Sequence, residues 1–261
     1  SPRKWSGYSC RVLNCLTTPR GLRAHDGAAP GLPISHILGS VKHPSMLRLR
    51  PTRSVRYTGA MEPLETNPAR RPATYDDVLH APDHLIAQVI DGELFLSPRP
   101  AFDHGLAASV LGGDILGRFG RKPGGPRGPG GWWILDEPEL HLGSDILVPD
   151  VAGWRRERMP VFPSRAPYTN QAPDWICEVL SPSTFRIDRI RKMTIYAREG
   201  VMHVWLVEPN ARTLEVYRLD EGRWIVAGLH EGDAVIRAEP FDAVELDMTD
   251  WWAPGEGEGG A

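Results

Sequence analysis

The sequence predicts an α/β domain: a mixed β-sheet flanked by helices and followed by a C-terminal antiparallel meander. Three observations carry this. Apolar strand-like runs at 175–180 and 203–207 enclose a helical run at 184–199, and the order strand, helix, strand is that of a right-handed crossover between parallel strands. Three short strand-like runs follow at 214–219, 224–228 and 241–246, the pattern of a meander. A hydrophobic content of 41% over 261 residues is enough for a packed core and excludes global disorder.

The chain divides by charge. Residues 1–60 hold ten Lys and Arg against one acid, Asp26, a net of +9; residues 61–261 hold 20 against 32, a net of −12. The first segment is rich in Arg, Pro, Gly and Ser and has no sustained hydrophobic period. It suits an Arg-rich targeting peptide, a basic nucleic-acid-binding arm, or an upstream start or fusion with Met61 as the true start. The third reading is preferred, so residues 1–69 are expected to be disordered or non-native and the folded domain to span 70–252, with a flexible tail at 253–261. Three scattered cysteines, Cys10, Cys15 and Cys177, argue against a disulfide scaffold and for a reducing, cytoplasmic setting. The sequence has no CxxC pair for structural zinc and no apolar run of 18 residues for a membrane span.

Within the domain, Thr74 reads as an N-cap with Asp76 and Asp77 in the first turn of a short helix. Strands at 85–90 and 93–96 meet at Asp91-Gly92, a strong hairpin signal. Residues 102–119 have helical spacing, and 121–131 form a Gly/Pro loop. Strands are expected at 132–135, 139–142 and 146–154. The last contains Pro149, which places it at an edge or a bulge, and bulges re-aim side chains beside active sites.

Two carboxylates stand out. Glu178 lies inside the apolar run 175–180, where burial without a partner costs several kcal/mol, on the order of 3–5. Asp150 follows Val148-Pro149. Paired strands would let both face one Mg²⁺, which favours carboxylate oxygens and keeps several waters. Thr184, Asp188, Lys192 and Tyr196 recur every four residues along the next helix. On an ideal α-helical wheel Ile187, Ile190, Met193 and Ala197 form the apolar face, and Lys192 lies nearly opposite. This predicts a solvated Asp188–Lys192 pair, although Ile195 and Tyr196 flank Lys192 and offer a second contact surface.

These residues together resemble a known family. Ile90-Asp91-Gly92-Glu93-Leu94, Ser97-Pro98 followed by His104, and Val148-Pro149-Asp150-Val151 occur in its order. So do Ala172-Pro173-Asp174 with Glu178-Val179-Leu180-Ser181-Pro182-Ser183-Thr184, then Asp188-Arg189 with Lys192 and Tyr196, then Gly200-Val201 and Val204-Trp205-Leu206-Val207. The resemblance is to the Uma-type family of bacterial restriction-endonuclease-like proteins, with the PD-(D/E)XK nuclease fold, and covers about residues 73–220. It implies a restriction-endonuclease-like fold and a metal, Mg²⁺ or Mn²⁺, held by Asp150 and Glu178. The motif lysine falls at Leu180, so the resemblance gives its role to Lys192. Glu93 and His104 become auxiliary catalytic residues. Gln88 stands where the family often has Glu, and Glu208 where it usually has Asp.

Two functions compete. The first is a metal-dependent endonuclease hydrolysing DNA, with Arg186, Arg189, Arg191, Arg121, Lys122 and Arg127 as candidate DNA contacts and a homodimer suited to duplex cutting. The second is an inactive interaction or regulatory module on the same fold, with Trp251 and Trp252 exposed as a partner surface.

Overall fold

The computed structural model describes residues 71–126 and 128–254. The expected N-terminal extension, residues 255–261 of the expected tail, and Arg127 lie outside the described residues.

Thr74 starts α1 (Tyr75–Leu79), and its N–H donates to the Asp77 carboxylate at 2.8 Å. The hairpin of β1 (Leu85–Ile90) and β2 (Glu93–Pro98) turns at Asp91-Gly92. Both turn residues have positive φ, 52° and 78°, as a type I′ turn demands. Helix α2 (Phe102–Phe119) has the bounds its periodicity predicts. It is followed by β3 (Trp132–Asp136) and β4 (Leu140–Leu142).

The expected strand 146–154 is two strands in two different sheets. β5 (Asp145–Leu147) joins the hairpin and β4 in a four-stranded sheet ordered β2-β1-β5-β4. β6 (Val151–Arg155) belongs to a six-stranded sheet, where its neighbours are β3 and β7 (Trp175–Val179). Pro149 has no N–H to give to a ladder, so the chain leaves one sheet and enters the other across Val148-Pro149-Asp150.

β7 pairs in parallel with β8 (His203–Glu208), and β9 (Thr213–Asp220) and β10 (Arg223–Glu231) complete the sheet as an antiparallel meander. The third meander strand is absent from that sheet. Phe241 leaves the ladder to pack its ring 4.6–5.7 Å from those of Phe119, Trp132, Trp175 and Trp205. Only Leu246–Asp247 extends, as β12, to pair with β11 (Val235–Ile236). Trp251 and Trp252 are buried in the same cluster, so the expected exposed tryptophan surface does not exist.

The connection from β7 to β8 also departs from expectation. A π-helical turn, Ile187–Lys192, precedes α3 (Met193–Arg198). The Met193 N–H reaches back five residues to the Asp188 carbonyl. This widened turn defeats the α-helical wheel: Ile190, placed on the apolar face, is 60% exposed, whereas Asp188 and Lys192 are buried.

The six-stranded sheet has a core on each face. Trp175, Cys177 and Val179 point to the α2 side, and Ile176 and Leu180 to the α3 side. Gly153 of β6 lies where a Cβ would stand 3.0–3.3 Å from Ile134, Trp175 and Trp132. Gly153→Ala is therefore expected to cost about 1–3 kcal/mol by overpacking, read as a lower urea midpoint at unchanged slope.

Candidate active site

β7 is buried along its whole length, and its alternation turns Glu178 toward the α3 face with Ile176 and Leu180. A carboxylate there, 2% exposed, needs compensation. Lys192 supplies it, with Nζ 3.1 and 3.2 Å from the two Glu178 oxygens and 3.0 Å from Asp188 Oδ1. Tyr196 donates its hydroxyl to Glu178 Oε1 at 2.5 Å. The π-turn makes this possible by bringing Asp188 and Lys192 inward together.

Asp150 sits at the sheet crossing, one residue before β6. Val151 pairs with Cys177, so the next step of the ladder sets Asp150 opposite Glu178. The Val179 N–H donates to Asp150 Oδ2 at 2.7 Å, tying the carboxylate to the end of β7. His104, in the first turn of α2, brings Nε2 to 3.4 Å from Asp150 Oδ1, while its buried Nδ1 has no hydrogen-bond partner.

Asp150, Glu178, Asp188, Lys192 and His104 line one cavity of about 370 Å³. Gln88 and Ser97 of the small sheet form one wall, and Ser181, Ser183 and Thr184 form another. The cavity lies where parallel strand β7 ends, the usual ligand position in sheets of this kind. Gln88, at the position of the family's frequent Glu, uses its Oε1 to accept the Val148 N–H at 3.0 Å and braces the approach to Asp150.

Glu93 is not brought into this cavity. Arg191 takes its carboxylate at 2.7 Å and that of Asp91 at 2.9 Å, clamping the hairpin to the π-turn. Arg189 is likewise committed, to Glu215. Neither arginine is free for DNA, unlike exposed Arg121, Lys122 and Arg186. Sequence reasoning left Tyr196 and Asp188 out of the site, although their four-residue spacing from Lys192 was visible. Ser97 and Gln88 were visible only through the family resemblance, and Arg99 gave no signal.

Three carboxylates share the cavity, and Lys192 pairs with two of them, Glu178 and Asp188, while His104 faces Asp150. Burial, reinforced by Asp188 and Asp150, pushes the Glu178 carboxyl up to about 8 against the pull of Lys192. Lys192 stays protonated, since its carboxylates outweigh its own desolvation. Burial opposes charge on His104, but the hydrogen bond and field of Asp150 outweigh it and raise the imidazole above its ordinary value.

The donor chemistry fits a hard divalent cation. Asp150 and Glu178 present carboxylate oxygens with acceptor capacity left after the bonds above, and an added cation would relieve the charge excess that lifts Glu178. Among the described residues no group of three or more His, Cys, Asp and Glu is arranged as a metal cage. Mg²⁺ needs none, being held by one or two carboxylates with water and phosphate oxygens.

A mixed sheet with this carboxylate–lysine cluster at its strand ends is the fold of restriction-endonuclease-like nucleases. The chain belongs to the Uma2 family, described as "Putative restriction endonuclease", whose model matches residues 73–249. The match runs past 220, taking in the segment that carries Phe241. The fold is similar to a crystal structure from Anabaena variabilis described as "a putative nuclease belonging to DUF820". The TM-score is 0.53 at 22% identity, over 69% of this chain and 98% of that one. No curated protein matches the chain. No helix among the described residues is long and apolar enough to cross a membrane.

Lys192→Met would strand Glu178 and Asp188. It is expected to cost about 3–5 kcal/mol at pH 8. The loss should shrink toward pH 5, as Glu178 takes up a proton; urea titrations at both pH values test this. His104 has the opposite charge and a raised value. Its imidazolium–Asp150 contribution is fully present below about pH 6.5 and is lost as pH rises through the elevated value. The stability difference between wild type and His104→Gln should therefore be larger at pH 6 than at pH 9.

Proposed function

We propose that this protein is a divalent-metal-dependent endonuclease that hydrolyses DNA phosphodiester bonds. The observation that carries the reading is the meeting of Asp150, Glu178 and Lys192 in one cavity at the end of β7. Families with restriction-endonuclease-like folds generally use divalent metals.

Asp150 and Glu178 would hold Mg²⁺ or Mn²⁺, which supplies polarisation of a phosphoryl oxygen and a bound water of lowered pKa. The other roles fall to the chain itself. Lys192, fixed between Glu178 and Asp188, presents its ammonium to the charge that develops on the phosphate. Tyr196 holds the Glu178 carboxylate in one orientation. His104 holds Asp150 from the α2 side, and its ring, when protonated, adds positive charge near the cleft. Gln88 and Ser97 supply a neutral polar wall.

The test incubates supercoiled plasmid and single-stranded circular DNA with Mg²⁺ or Mn²⁺ and wild type, Asp150→Asn or Lys192→Ala. Asp150→Asn keeps an oxygen for the Val179 N–H and so separates catalysis from folding. Each substitution should lower cutting by about 100-fold or more. Equal cutting by all three proteins would overturn the assignment, and no cutting by correctly folded wild type would favour the inactive module.

A further inference from the structure

Most hydrogen-bond donors on the cavity wall are already engaged within the chain. Lys192 places its ammonium on Glu178 and Asp188. The hydroxyls of Ser181, Ser183 and Thr184 bond one another at 2.8 and 3.0 Å. His104 faces Asp150 at 3.4 Å. Arg99 is largely exposed and reaches Glu137 at 3.5 Å. Arg186 is exposed too, but it is outside the lining. Two groups remain. Gln88 uses its Oε1 to accept the Val148 N–H, which leaves the amide NH₂ without a partner among the described residues. The Ser97 hydroxyl has none among them either.

Both residues are buried, 4% and 5% exposed, yet both line the cavity. Among the described residues, the side-chain polar atoms sealed off without a partner belong to His104, Trp175 and Arg189. The Gln88 and Ser97 groups therefore keep an opening, and that opening is the cavity they line. Strand pairing brings the two together. Ser97 lies opposite Ile86 and Gln88 opposite Phe95, so they are diagonal neighbours on one face of the hairpin. Such neighbours stand roughly 7–8 Å apart, within reach of a long side chain.

With its oxygen taken, the Gln88 side chain has only donors to offer, and a serine hydroxyl donates as well as accepts. The partner that suits both is an acceptor with no proton of its own. The non-bridging oxygens of a phosphodiester are such acceptors, and a hydrogen bond to an ionised acceptor is roughly twice as strong as a neutral one. A carboxylate at position 88 would instead add a fourth acid to a cavity that already holds Asp150, Glu178 and Asp188. We infer that Gln88 and Ser97 bind the substrate through one phosphate group, the Gln88 amide and the Ser97 hydroxyl each donating to a non-bridging oxygen. This rests on the nuclease reading for the reaction, but phosphate binding is measurable without cleavage.

Fluorescence anisotropy of the full chain, with Ca²⁺ in place of Mg²⁺, would compare a labelled DNA oligonucleotide with an abasic phosphodiester oligomer of the same length. Ser97→Ala and Gln88→Met should each weaken both ligands about tenfold or more, and Ser97→Thr, which keeps the hydroxyl, should bind like wild type. The Ser97 hydroxyl holds nothing within the described chain, so the urea midpoint of Ser97→Ala should match that of wild type. The midpoint of Gln88→Met reports separately on the lost Val148 bond. Wild-type affinity in either Ser97→Ala or Gln88→Met, a loss confined to the base-bearing oligonucleotide, or no binding of either oligomer by wild type would overturn the inference. Cleavage with Mg²⁺ is scored separately. Weakened binding in both variants with no cleavage by wild type sinks the nuclease reading alone. Cleavage by wild type, with both variants binding as it does, sinks this inference alone.

Discussion

A carboxylate in the middle of an all-buried strand persists only if a cation is brought to it, and much of the structure around Glu178 follows from that requirement. The desolvation cost of a lone buried charge is large against the 5–15 kcal/mol stability typical of a domain. Lys192 meets it, but an ammonium moved out of water needs its own partners, and Asp188 and the opposite Glu178 oxygen provide them. The connection after β7 must therefore return at once over the strand end, and its first turn must present two charged side chains inward. An α-helical turn with this sequence would present Ile190 instead. The π-turn resolves the conflict, in keeping with the frequent occurrence of such turns at functional sites.

Asp150 depends on a second constraint, the passage between sheets. The same three residues that link β5 to β6 deliver its carboxylate beside Val179, with Gln88 and the Val179 amide fixing the path. Charge placement and sheet topology are therefore coupled. A change that lets Val148-Pro149-Asp150 relax would move a carboxylate as well as a loop.

Local signals were legible in the sequence where one residue type has one physical use. Asp91-Gly92 announced a turn with two positive φ values, and the apolar period of 102–119 gave α2 residue for residue. Glu178 was conspicuous because a charge interrupts an apolar run. What stayed hidden depends on contacts across the chain. Pro149 was read as a bulge within one strand, because no local pattern distinguishes a bulge from a change of sheet. The solvated Asp188–Lys192 pair was inferred from a regular wheel, and a π-turn shifts that wheel by a residue. Phe241 looked like a strand residue until four aromatic rings drew it inward. Glu93 looked like a site residue because its partner, Arg191, lies 98 positions away.

The two sheets contribute unlike things to the cleft. Every ionisable group in the charge cluster comes from the large sheet, its helices or the sheet crossing, while strands β1 and β2 offer only Ile86, Gln88, Ser97 and Pro98. The charge balance is thus insulated from one whole wall. Side chains on the hairpin can change size or hydrogen-bonding character without adding or removing a buried charge. That gives the scaffold a division of labour in which recognition can drift on the hairpin while the ionic machinery across the cleft stays the same.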